Sequence, residues 1–558
     1  MAIVTPTGMA RLGNIFFYRL VRELAAPQEK VLNLYAATID RIIRLDDRML
    51  QTGIHLAAGA DGLTPAEVAD ELAEIETSPQ PAMSKTASRA TDILKAAWTH
   101  ILLDQEHAAS VTIDGAKPWL LDFLQEWFLA QSERIEQIGG APALTAQVLR
   151  RAGVAVAFWP LYLSPHQAQT FDAGLEGLVV NDTGFATRFI GGLGNPGHPE
   201  IHNYAIEFET GAAFHLQGSA EAALERKAAE GDRTLVISPG YFFFDPAGRV
   251  IQSRRPPSFP YHLLSQQPFD PRQAGRIAQI VGEYRRLFIG GLQMVQDPAC
   301  QQSLELDLRA LRAAGATIHS EIPGIPATPW YLKVLRDYVP SAGVNMQALE
   351  SLARSVQDHL GEEARGETPP PRLSAPDLRY DYQARLLCWL ACELNLERLH
   401  GHSQELSLVA RRAPVTDAEM EAEVAALMFA TQQVINRAAD RAPAGALGVP
   451  EQTDLPESNL KKYVDACAMC AFLAERERLT DVLDRGWFDY RFDWRGRPQV
   501  FKVAIVPTAA LRGRMPGLRW VGAGDTVSAV SFVYSRFRTN YPGDKPDMLH
   551  AGTVGGAH

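Results

Sequence analysis

Positive charge is in short supply in this chain of 558 residues: 54 Lys and Arg stand against 65 Asp and Glu, a net charge of −11. No basic face therefore advertises nucleic acid, and an anionic ligand must be caught locally by amides, arginines or a divalent cation. Cysteine is scarce, with 5 in the chain, which fits a reducing compartment better than a disulfide framework. Four of them form the pairs Cys388/Cys392 and Cys467/Cys470 in Leu-, Ala-, Trp- and Met-rich surroundings without turn residues. Buried free thiols are expected there in preference to a zinc site. No apolar run approaches the ~18 residues of a membrane helix, and Met1 to Gly13 lacks a basic start followed by an apolar core. A cytoplasmic protein with no signal peptide and no membrane association is expected. Internal repeats are lacking, and so is the Gly-x-x-x-x-Gly-Lys-Ser/Thr loop of Walker-type nucleotide enzymes.

What is there begins with a hydrophobic share of 46%, enough for a large core and, at this length, two or more globular units. The segment Leu518 to Val521 reads as a strand running into Gly522-Ala523-Gly524-Asp525-Thr526, and Val527, Val530, Phe532 and Val533 then recur at helical spacing. Glycines at a helix entrance let backbone amides approach a phosphate or a developing negative charge. A carboxylate in the same turn, here Asp525, can take a proton from a hydroxyl that attacks phosphorus. Gly-Asp-Thr also caps ordinary helices, since Asp is a favoured N-cap.

Val31 to Tyr35 reads as a buried strand, and Ala37 to Leu45, with Ile39, Ile42 and Ile43 on one face and Asp40 near its start, as a helix. Residues 53 to 135 are mostly amphipathic helix. Gly139-Gly140 feeds a helix from Leu144 to Ala152, and Val154 to Pro160 is an apolar strand. Between 175 and 255 strands alternate, including Ile201 to Phe208, Ala212 to Leu216 and Thr234 to Phe244, as in a small appended sheet or lid. Gly192-Leu193-Gly194-Asn195-Pro196-Gly197 matches the dinucleotide fingerprint in letters only, because Pro196 and a strand follow where a helix is required. Strands at Leu287 to Ile289, Ala316 to Glu321 and Val339 to Asn345 alternate with helices. That alternation implies an α/β, doubly wound and mostly parallel sheet whose ligands gather at the carboxyl ends of its strands.

Taken in order, these turns resemble the ADP-dependent sugar kinases, the archaeal-type glucokinase and phosphofructokinase branch of the ribokinase-like fold. Val506-Pro507-Thr508 followed by Gly522-Ala523-Gly524-Asp525-Thr526 resembles the family's Pro-Thr segment and catalytic turn; Gly139-Gly140 resembles its sugar turn; Asp40 matches its sugar-binding Asp. His202 to Phe208, containing Glu207, resembles the lid strand, His319-Ser320-Glu321 the His-x-Glu metal segment, Ser341 to Asn345 the phosphate loop, and His400-Gly401-His402 the His-x-His strand beside the nucleotide. The resemblance implies Asp525 as general base with the amides around Gly522 and Gly524 as anion hole. It implies acceptor binding by Asp40, Gly139, Gly140, His202 and Glu207, and nucleotide binding by Asn345, His400, His402, Val506, Pro507 and Thr526. Mg2+ would lie beside Glu321 and His319, ADP would be the donor, and a sugar, sugar derivative or nucleoside the acceptor, in a monomer or homodimer. Residues 1–50, 136–174 and 256–558 would form the catalytic body, and 51–135 with 175–255 the lid. By themselves His319 reads as a core histidine, Glu321 as a surface charge and Asn345 as a turn former.

The chain departs from the pattern at three places. Ala36-Ala37-Thr38 replaces Asn-x-Asn, Ala141 follows the glycine pair where Asn or Gln is usual, and Met346 stands where Glu is common. Lost hydrogen-bonding groups change which substrate a site accepts. Two readings follow: an active kinase with an altered acceptor, or a non-catalytic descendant that binds a ligand or regulates. Arg254, Arg255, Arg512, Arg514 and Arg519 are further candidates for phosphate contact.

Overall fold

A computed structural model describes residues 29–539 apart from several stretches, the longest being 252–277, 360–378, 439–452 and 512–522. The strand Leu518 to Val521, Gly522 and the five candidate arginines lie outside the described residues.

Parallel strands buried on both faces read as short apolar runs, and such runs build the larger sheet. Val31–Tyr35 (β1), Val156–Pro160 (β6), Glu176–Asn181 (β7) and Gly184–Phe189 (β8) form one half. Arg286–Gly290 (β11), Thr317–Ile322 (β12), Ser341–Asn345 (β13), Arg398–His402 (β14), Leu406–Arg412 (β15), Trp487–Trp494 (β16) and Arg497–Pro507 (β17) form the other. The order is β16-β17-β15-β14-β13-β12-β11-β1-β6-β7-β8, eleven strands. From β14 through β7 every neighbouring pair is parallel, and antiparallel strands close both edges.

The second sheet has six strands: Thr38–Leu45 (β2), Lys85–Ala87 (β3), Ala108–Ile113 (β4), Ile135–Gly139 (β5), His202–Phe208 (β9) and Arg233–Ser238 (β10), ordered β3-β4-β10-β9-β2-β5. Its apolar face packs under the helices Asp47–Asp61 (α1), Pro65–Ala73 (α2), Ala90–Leu102 (α3) and Trp119–Leu129 (α4), around Trp98, Trp127, Tyr204 and Phe208.

Helices cover both faces of the large sheet. One face carries Ala141–Arg151 (α5), Asp417–Ala438 (α10) and Ala523–Tyr534 (α12). The other carries Pro298–Ala313 (α6), Pro329–Tyr338 (α7), Leu349–His359 (α8), Arg379–Glu393 (α9) and Glu457–Leu473 (α11). Cys388 and Cys392 on α9, with Cys467 and Cys470 on α11, are buried free thiols, and burial raises the pKa of each. No helix among the described residues is long and apolar enough to cross a membrane.

The structure corrects two expectations. Within Ala37 to Leu45, Thr38 to Leu45 is strand, not helix: β2 lies between β9 and β5, both of its faces are covered, and burial on both sides erases the alternation that marks a strand. The boundaries between the two units shift with it. β2 and β5 belong to the small sheet, whereas β7 and β8 extend the large one. Among the described residues the fingerprint-like segment opens no α-helix: after β8 a short turn Ile190–Gly192 leads without further helix as far as Pro196.

Candidate active site

Glycine and serine at Gly524, Ser528 and Ser531 recur at i, i+4 and i+7, which puts three small residues on one stripe of α12, and Ser535 follows at i+11 just past the helix end. That stripe lets the helix lie close against the sheet. A Cβ on Gly524 would sit 2.2 Å from His402 Cε1, and one on Gly343 would sit 1.9 Å from Ser528 Oγ. Arg286 donates to the carbonyl of Phe532, so the C-terminal end of α12 lies over the start of β11. The N-terminus of α12, with Gly524 and Asp525 in its first turn, therefore opens at the carboxyl edge of the parallel strands. Asp525 is half-buried there.

Beneath the helix, the register lines up His319, Ser341, Arg398 and Arg411 on successive strands. Fully buried Glu423, on α10, accepts from Arg398 Nη2 at 2.7 Å and from Arg411 Nη1 at 3.2 Å. His319 Nδ1 lies 2.8 Å from Ser341 Oγ and Nε2 2.8 Å from Ser528 Oγ, and the ring stacks on Phe532. Burial, reinforced by Arg398, holds its pKa well below the usual imidazole range. Neutral and engaged at both nitrogens, His319 has no lone pair for a cation, which corrects its expected place as a metal ligand.

One row nearer the edge stand Glu321, Gly343 and His400, and beyond them Asn345 and His402. Glu321 Oε1 accepts from His402 Nε2 at 2.6 Å. Its Oε2 is buried, lies 2.1 Å from where a Cβ on Gly343 would be, and has no hydrogen-bond partner among the described residues. His400 is fully buried, its pKa pushed well down by desolvation, and neither ring nitrogen has a hydrogen-bond partner among the described residues. The two histidines of the His-x-His strand thus differ: His402 holds a carboxylate and His400 is packed.

Asn345 Oδ1 accepts from the Gln347 amide at 2.9 Å and shapes the turn after β13. Met346 is 3% exposed and packs beneath Gly401, on the sheet face opposite His400 and His402. Its replacement of Glu therefore leaves the cluster under α12 untouched. Val506 and Pro507 end β17 beside Leu406 and Ser407, with Val506 wholly in the core, so only backbone could meet a ligand there. The Thr526 side chain is fully buried.

The second group of candidates gathers around Asp40. The carboxylate lies over Gly139, where a Cβ would be 2.0 Å from Asp40 Oδ1. Asp40 Oδ1 accepts from Thr38 Oγ1 at 3.1 Å and from Asn203 Nδ2 at 3.0 Å, and Asn203 also donates to Thr38. Gly140, at φ 79°, opens α5 without a side-chain cap; a positive φ of this kind suits glycine. Asn203 was missed by motif matching, although strand alternation puts it on the Asp40 face. The same alternation puts His202 on the opposite face, in register with Ile39. Glu207 shares the face but pairs with Arg44, about 13 Å along the strand from Asn203. Neither His202 nor Glu207 joins the Asp40 group.

The two groups open on the same edge. Tyr534 Oη donates to Ala152 O at 2.6 Å, tying the C-terminal ends of α12 and α5 together. The helices therefore run side by side in the same direction, with Gly140 and Asp525 at their entrances. Packed helices lie about 8–10 Å apart, a separation that a small acceptor can span.

No protein-family model and no curated protein matches the chain. Solved structures do. The last common ancestor of ADP-dependent phosphofructokinases from Methanosarcinales is 18% identical at a TM-score of 0.56, over 96% of this chain and all of that one. An ADP-dependent kinase in complex with fructose 6-phosphate and ADPβS is 17% identical at 0.60, over 94% and 97%. A hypothetical ADP-dependent phosphofructokinase from Pyrococcus horikoshii OT3 is 18% identical at 0.52, over 91% and 98%. Across nearly its whole length, then, this chain has the fold of the ADP-dependent phosphofructokinases.

Proposed function

We propose that the protein is a kinase that transfers a phosphoryl group, with ADP as donor, to a hydroxyl of a sugar, sugar derivative or nucleoside. The observation that carries this reading is the meeting of three features at one edge of the sheet. These are Asp525 in the first turn of α12, Glu321 with a buried oxygen that has no hydrogen-bond partner among the described residues, and Asp40 held over Gly139 beside the entrance of α5.

In this reading Asp40 hydrogen-bonds and orients the acceptor, positioned by Thr38 and Asn203. Asp525 accepts the proton of the attacking hydroxyl as the oxygen–phosphorus bond forms. The amides at the start of α12 face the charge that builds on the transferred group, where a preorganised dipole is most effective. Closure of the small sheet over the site would exclude water, so that the acceptor hydroxyl attacks in place of solvent.

The donor set fits Mg2+. That ion typically keeps several waters and is held by one or two carboxylates together with substrate phosphates. Glu321 Oε2 offers one such oxygen, and no group of three His, Cys, Asp or Glu side chains that could hold a metal ion occurs among the described residues. Bound there, the cation would neutralise phosphate charge. The non-catalytic alternative drew on Met346 and the altered sugar turn; Met346 faces the core, and Thr38 takes part in holding Asp40.

Asp525→Asn tests the reading. ADP-to-AMP turnover with an acceptor panel should fall by at least ~100-fold, the usual scale of a general base, while calorimetric ADP binding persists. An unchanged rate removes Asp525 as base.

A further inference from the structure

Given the kinase reading, we propose that His402 is not a nucleotide contact but a positioning residue that fixes the metal-facing carboxylate Glu321 and couples it to the catalytic turn. The imidazole side chain is 9% exposed and is held from two sides. On one side Nε2–H donates to Glu321 Oε1 at 2.6 Å. On the other, the ring lies against the backbone of Gly524, so close that a Cβ there would be 2.2 Å from Cε1, 2.9 Å from Nδ1 and 3.0 Å from Nε2. The residue after Gly524 is Asp525.

One ring therefore touches the two halves of the proposed chemistry. By occupying Oε1 it leaves Oε2 as the carboxylate's remaining acceptor, and Gly343 gives that oxygen room because no side chain rises beneath it. Outer hydrogen bonds of this kind orient a metal ligand, and their loss typically costs about 10–100-fold in metal affinity or activity. His400 cannot substitute: its ring centroid lies 5.4 Å from that of His402, and it makes no hydrogen bond to any described residue.

The test uses the full chain with Mn2+ and ADP as probes, without acceptor. Mn2+ retention is read by electron paramagnetic resonance and calorimetry, and ADP affinity is measured separately in EDTA. His402→Ala should weaken Mn2+ retention about 10–100-fold and leave ADP affinity in EDTA within about 3-fold, because the ring is assigned to the carboxylate and not to the nucleotide. His402→Gln, whose amide N–H can still reach Glu321, should recover a substantial part of the loss and guards against a merely misfolded Ala variant. Unchanged Mn2+ retention in His402→Ala overturns the positioning role, and so does a matching fall in ADP affinity in EDTA, which would make His402 a nucleotide contact. Failure of the wild-type protein to hold Mn2+ with ADP overturns the kinase reading and this role together. Wild-type retention with no effect of His402 overturns this role alone.

Discussion

Gly524→Ala is the sharpest probe of the arrangement, because its sign depends on the partner residue. The new methyl carbon would lie 2.2 Å from His402 Cε1, whereas carbon atoms rest at about 3.5–4.0 Å. Ring or helix must therefore give by about 1.3 Å or more. Displacing the ring by that amount stretches its 2.6 Å hydrogen bond to Glu321 to about 3.9 Å, beyond hydrogen-bonding range. A hydrogen bond to a charged group contributes about 1.5–3 kcal/mol. Alanine in a helix is favoured over glycine by about 0.5–1 kcal/mol, so the net destabilisation should be about 0.5–2.5 kcal/mol. In a His402→Ala background the clash and the hydrogen bond are already gone. There the same substitution should stabilise by about 0.5–1 kcal/mol. Urea unfolding of the four proteins, followed by tryptophan fluorescence, gives the cycle. Equal destabilisation in both backgrounds would refute the contact between His402 and the catalytic turn.

Three further outcomes follow from the geometry. Glu423→Gln leaves Arg398 and Arg411 buried without their shared carboxylate and should destabilise by about 3–5 kcal/mol, seen as a lowered urea midpoint. Gly139→Ala drives a methyl into the Asp40 carboxylate; acceptor KM should rise at least ~10-fold through that lost hydrogen-bonding group, with ADP affinity by calorimetry unchanged. For acid sensitivity, His400 has a folded pKa well below its ordinary 6.5. Below pH 6.5 the unfolded chain therefore binds a proton that the folded one refuses, and stability falls with falling pH by about 1.4 kcal/mol per unit for that histidine. His400→Leu should reduce the slope of urea stability against pH by an amount that approaches this limit as pH falls from 6.5 to 5, without loss of stability at pH 8, since no hydrogen bond to a described residue is broken.

Much of the large sheet was legible because each parallel strand is a short apolar run stopped by a turn, as at Leu287–Gly290 and Ser341–Asn345. The entrances of α5 and α12 were legible because glycine announces them. The identity of β2 was not, since Ile39, Ile42 and Ile43 satisfy helical spacing as well as a strand buried on both faces. Motif matching found His319 and Glu321 yet misassigned the histidine, because the hydroxyls that engage it come from Ser341 and Ser528, which lie 22 and 209 residues away. The stripe of Gly524, Ser528 and Ser531 carried the needed signal: small residues on one side of an apolar helix predict a close approach. Asn203 could have been found by alternation along β9, but its partners Thr38 and Asp40 stood in a segment read as helix.

The passage from β1 to β2 carries one last consequence. The chain leaves the large sheet at Tyr35 and joins the small one at Thr38, so Asp40 sits almost on the pivot between them. Should the small sheet rock, the arc swept by each residue grows with its distance from that pivot. Leu45, about 17 Å farther along the strand, would travel roughly two to three times as far as Asp40. The acceptor's anchor would stay nearly still while the outer rim swings, so the grip on the substrate can be set before the door shuts.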